Sequence, residues 1–108
     1  MGYSQSANPS FVSQFSVQFA PPAERDISDA FAWYAAKNKT VANDFREQVF
    51  EATEYLASNP TSKPANDKGA RKWVLKRFPY SVIYSLKGTV ITIIAIAHHK
   101  RKPDYWRS

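Results

Sequence analysis

The chain closes with AHHKRKPDYWRS, and residues 97–108 hold most of the groups able to do chemistry. His98 and His99 offer imidazoles, Lys100, Arg101 and Lys102 are consecutive cations, and Tyr105 and Trp106 bring rings that stack on a base or cover an apolar edge. Cleaving RNA through its 2′-hydroxyl needs a base, an acid for the departing oxygen and cations around the phosphate. If the chain is a nuclease, the candidate catalytic set is therefore His98, His99, Arg101 and Tyr105. The wider set for holding a target or a nucleic acid is Lys72, Lys76, Arg77, Lys100, Arg101, Lys102, Tyr105 and Trp106. Each also has a plain reading, a solvated terminus for the cation triplet and core packing for Trp106. No metal site is expected, because adjacent strand residues point to opposite faces and the chain has no cysteine to complete four ligands. No cofactor is expected either.

Charge narrows the partners. Residues 1–70 carry six Lys/Arg against eight acids, whereas residues 71–108 carry nine against Asp104 alone, within a chain of net charge +6. That asymmetry favours an anionic partner over a neutral one. A length of 108 residues allows one core. We expect a flexible tail over residues 1–13 and a single domain over 14–108. No apolar run approaches the ~20 residues that span a bilayer, and the first residues lack the pattern of a signal peptide. Cytoplasmic residence without a membrane partner is the expectation.

The elements that must position these groups follow from periodicity. FSVQF at 15–19 alternates with period two and runs into Pro21-Pro22, a strand followed by a helix start. Ala23, Ile27, Ala30, Phe31 and Tyr34 make one helical face that should end near Asn38. Thr40 is the expected N-cap of a second helix, with Val41, Phe45, Val49, Ala52 and Leu56 as its stripe and Ser58-Asn59-Pro60 as its end. Residues 60–70 read as a mobile loop. RKWVLKRF, YSVIYSL and TVITIIAIA then read as three strands of a meander, the last the most enclosed. Trp33 and Trp73 are expected to pack between helix and sheet. The sum is an α+β domain: an N-terminal strand, an antiparallel helix hairpin, then a three-stranded meander completing a four-stranded sheet. The helices cover one face, and the other is expected to be cationic and partly aromatic.

WVLKRFPYSVIYSLKGTVITIIAIAHHKRKPDYW, preceded by this helix pair, resembles the ParE/RelE superfamily of type II toxin–antitoxin systems, also described as plasmid stabilization proteins. FPYSVIY at 78–84 and AHHKRKPDYW at 97–106 are its most specific pieces. The resemblance implies a growth-inhibiting toxin held inactive by a cognate antitoxin in a hetero-oligomer. It offers two branches, a non-enzymatic DNA gyrase inhibitor and a nuclease that cuts mRNA on the ribosome. The nuclease branch implies a cation pair two residues apart before the turn and an arginine after the turn tyrosine. Here Lys72 alternates with Val74, and Ser81 follows Tyr80, so the gyrase branch is favoured. A non-toxic nucleic-acid-binding module is the remaining alternative.

Overall fold

The computed structural model of the chain describes residues 15–100. In chain order these form β1 (Ser16–Phe19), α1 (Pro21–Ala35), α2 (Lys39–Ser58), β2 (Ala70–Val74), β3 (Tyr80–Lys87) and β4 (Val90–His98). The sheet order is β1-β4-β3-β2. β2, β3 and β4 are the expected antiparallel meander, while β1 pairs parallel to β4, Ser16 with Val90 through Phe19 with Ile93. Enclosure of β4 between two strands explains its nearly unbroken apolar run.

Local chemistry sets the helix ends. Pro21 stands in the first turn of α1, where a missing N–H costs nothing. The cap of α2 is Asn38 rather than Thr40: its Oδ1 accepts from the Thr40 and Val41 backbone N–H groups at 2.8 and 3.3 Å. The extended backbone of Asn38 aims its short amide back at the first turn, and Thr40 is already helical. At the far end the Asn59 side chain donates to the Tyr55 carbonyl, and Pro60 prevents continuation.

The expected helical stripes form the core, apart from Phe31, which lies under the Arg46 guanidinium instead. Ala23 and Ala30 of α1 and Phe45, Val49, Ala52 and Leu56 of α2 pack on Val82, Tyr84, Ile91, Ile93 and Ile96. A bulge in β4 opposite Ile83/Tyr84 breaks strict alternation, which lets Ile93 and Ile96 both face the helices while Ala95 joins Ile83 and Ala70 on the other side. β1 ends opposite Ile93, so among the described residues the last part of β4 has no strand on that side. Asp26 of α1 fills the gap, its Oδ2 accepting the Ile96 N–H at 3.0 Å.

RKWVLKRF is not one strand. β2 stops at Val74 because Leu75 and Phe78 both turn inward and are buried. Phe78 closes an aromatic cluster with Tyr34 and Phe45 at ring separations of 5.3 and 5.4 Å, and Tyr80 joins Phe45 at 5.1 Å. The Phe78-Pro79-Tyr80 turn is structural as expected, with the Tyr80 N–H donating to the Phe78 carbonyl at 2.7 Å. The loop after α2 is organised by Asn66, whose Oδ1 accepts from Lys68 and Ala70 N–H, and Gly69 supplies the positive φ of 84°. Arg71 holds the same loop by donating to the Lys63 carbonyl.

Candidate functional site

Strand register assigns the candidate side chains to faces. On β2, Trp73 lies across from Val82 and therefore on the helix side, where it stacks on Tyr55 at 4.8 Å, as expected. Lys72 lies across from Ile83, and Val74 from Ser81, on the side away from the helices. That face also carries Gln18, whose side chain donates to the Thr92 hydroxyl, and the apolar group Ala70, Ile83 and Ala95 with Ile94 and Ala97 against it. It is less aromatic than expected. The strand rings Trp73, Tyr80 and Tyr84 all sit on the helix side, because the pleat gives alternate residues to the core.

The described candidate cations do not all gather on that face. Lys72 and Lys76 are exposed, the latter in the turn after β2. Arg77 leaves the sheet for α2, its Nη2 lying 3.4 Å from the Asp44 carboxylate and its guanidinium over the Phe78 ring. Burial of Phe78 carries its neighbour to the helix side. Lys100 is exposed at the end of β4, and Arg101, Lys102, Tyr105 and Trp106 lie outside the described residues.

The two histidines part, as alternation requires. His99 faces away from the helices, with Nε2 3.0 Å from the hydroxyl of buried Ser81, while its N–H donates to the Pro79 carbonyl. His98 faces the helices, edge-on to Tyr80 at 4.9 Å, and its Nδ1 accepts the Lys100 N–H. A single phosphate therefore does not meet both imidazoles. Among the described residues no three His, Asp or Glu side chains converge as metal ligands, and no helix is long and apolar enough to cross a membrane.

Two concave surfaces were not apparent in the sequence. An apolar groove of about 390 Å³ lies between β1, α1 and α2, lined by Val17, Phe19, Ile27, Val49 and Phe50 with Arg46 and Glu54 among its walls. Phe50 is 60% exposed there. It lies off the stripe of α2, and this lone aromatic among polar neighbours was the available signal. A cleft of about 600 Å³ runs between α1 and the rim of the sheet, with Asp26, Asp29 and Trp33 on one wall and Tyr80, Ile96 and His98 on the other. Trp33 does not pack between helix and sheet: it is 58% exposed, with Lys37 Nζ 4.6 Å from its ring centre.

Below the sheet, the Tyr84 hydroxyl is buried and has no hydrogen-bond partner among the described residues. Burial pushes its pKa above the ordinary tyrosine value, with nearby Arg71 and Ser62 pulling the other way.

A helix pair packed on one face of a small four-stranded mixed sheet, with concave surfaces at its margins, defines the class of fold as α+β. Residues 17–103 match the model of the ParE toxin of type II toxin–antitoxin system, parDE. The chain belongs to this ParE toxin family, and such a toxin–antitoxin system implies an antitoxin partner. The fold is similar to that of a solved structure, the chromosomal ParDE TA system from P. aeruginosa, with a TM-score of 0.70 at 21% identity over 81% of this chain and 98% of that one. No curated protein sequence matches the chain.

Proposed function

We propose that this toxin arrests growth by binding DNA gyrase, without itself being an enzyme, and that a cognate antitoxin neutralises it in the cytoplasm. The observation that carries the reading is the parting of His98 and His99, together with the turn of Arg77 toward Asp44. General-base cleavage of RNA needs an imidazole and several cations around one phosphate, and these contacts draw the candidates to separate places. Family membership supports the same branch.

The antitoxin's place in this reading is the groove between β1, α1 and α2. Its wall is apolar, Phe50 stands exposed in it, and Arg46 on its edge favours an acidic residue at the margin of the incoming segment. An amphipathic helix or strand laid there buries its apolar side. Purified toxin at micromolar concentration should block gyrase supercoiling or trap cleaved DNA, and antitoxin should restore activity. Untouched gyrase removes the proposal.

A ribosome-dependent nuclease is the second reading, favoured by one observation: His99 and Lys72 share the face away from the helices. A translating extract would then yield cut mRNA, and His99→Ala would leave the message whole.

A further inference from the structure

The cleft between α1 and the sheet rim has a composition opposite to the chain around it. Asp26 and Asp29 line it, and no Lys or Arg is among its described lining residues, although the net charge of the protein is +6. Asp26 Oδ2 accepts the Ile96 N–H, whereas Asp29 is exposed and makes no ion pair among the described residues. Trp33 follows Asp29 by four positions on the same helix face, so carboxylate and indole stand side by side, with Cβ atoms about 5–6 Å apart. The exposed Trp33 ring already accepts one cation, the Lys37 ammonium, 4.6 Å from its centre.

These features select an occupant. Two carboxylates with no cation among the described lining residues repel a phosphate, which argues against a nucleic acid. A guanidinium is planar: its face stacks on an indole while its edge makes paired hydrogen bonds to a carboxylate, and it leaves water more readily than an ammonium does. Asp29 and Trp33 offer those two contacts within one turn of α1. The remainder of the cleft suits the residues beside such a side chain. Its volume of about 600 Å³ falls among pockets that take a whole ligand rather than a lone ion, and on the far wall Tyr80 and His98 meet edge to face at 4.9 Å.

We propose that this cleft binds an arginine side chain carried on an extended segment of a partner protein, the guanidinium paired with the Asp29 carboxylate and stacked on the Trp33 indole. The cleft shares no lining residue with the groove between β1, α1 and α2, so both can be filled at once. This goes beyond the proposed target and stands whether the chain acts on gyrase or on the ribosome.

The probe is a blocked four-residue peptide with one arginine beside one tyrosine, titrated into the isotope-labelled full-length chain and followed by amide and indole NMR signals. The expected result is saturable shifts at Asp29, Ala30 and Trp33, the Trp33 indole included, with Gln18, Lys87 and Thr92 unmoved. The same peptide with citrulline, which keeps the shape of arginine without its charge, should bind at least about fivefold more weakly, and the lysine peptide at least about twofold more weakly. In Asp29→Asn, a change at an exposed position, the preference for arginine over citrulline should fall below about twofold. No saturable shift on α1 up to about 10 mM peptide would overturn the proposal. Shifts centred on Phe50 and Glu54 would overturn it by placing the arginine in the other groove. An arginine preference that survives Asp29→Asn removes the charge pair, and a lysine or citrulline peptide that binds as tightly as the arginine peptide removes the guanidinium; either result overturns the assignment.

Discussion

Phe50→Asp separates the proposed antitoxin groove from the folding core. Phe50 is 60% exposed, and a phenylalanine carries roughly 200 Å² of surface, so an occupant covers up to about 120 Å² of it. At ~25 cal/mol per Å² this is about 3 kcal/mol, or about 100-fold in Kd. Part of that is offset by ordering the partner, so a loss of at least ~30-fold is expected. The free toxin should keep its fold, because the side chain contributes little burial, and its Tm should move by less than about 4 °C. Calorimetric titration with the cognate antitoxin, beside thermal melts of toxin alone, measures both. Phe50→Leu, which keeps an apolar surface, should lose less than about tenfold. An affinity for Phe50→Asp within threefold of the parent, with melting unchanged, refutes the placement. A large fall in Tm refutes the premise that Phe50 is spare to the fold.

Other outcomes follow from individual contacts. Asn38→Ala should cost about 1 kcal/mol in denaturant unfolding while Thr40→Ala costs less, since Asn38 makes the two capping bonds; the reverse order would reassign the cap. Tyr84→Phe removes a buried hydroxyl without a partner and should raise stability by up to about 1 kcal/mol. Because the folded-state pKa of Tyr84 is raised, the unfolded chain loses this proton first, so stability conferred by the protonated hydroxyl is present below about pH 10 and is lost as pH rises above it. The advantage of Tyr84→Phe should therefore widen in alkaline melts, and a constant gap would argue against the shift. Gly88→Val forces a β-branched residue to φ 60° in the β3–β4 turn and should destabilise by about 1–2 kcal/mol in the same unfolding assay.

Where the sequence was legible, one periodicity dominated its segment. The stripe from Val41 to Leu56 has a helical spacing that no loop residue interrupts, and Tyr80, Val82, Tyr84 and Leu86 alternate cleanly onto the helix side. Legibility failed where two tendencies competed. Leu75 and Phe78 extend the apolar pattern of β2, yet both are drawn into the aromatic cluster around Tyr34 and Phe45, which ends the strand at Val74 and takes Arg77 to Asp44. Trp33 reads as a packing residue by size, but its position on α1 turns it toward the cleft. Asp26 lies off the apolar stripe of α1, and its bond to Ile96 serves the part of β4 that β1 is too short to reach.

By itself the sequence determined the order and kind of the elements, the faces the helices bury and the opposite headings of His98 and His99. All of these depend on spacing between near neighbours, and backbone periodicity dictates them. Only the tertiary structure decided that β1 runs parallel beside β4, that Lys72 stays on the open sheet face while Arg77 turns to Asp44 of α2, and that α1 and the sheet rim enclose an acidic, aromatic cleft. Those outcomes depend on which distant segments satisfy one another's hydrogen bonds and apolar surface, a competition settled only when the whole core closes.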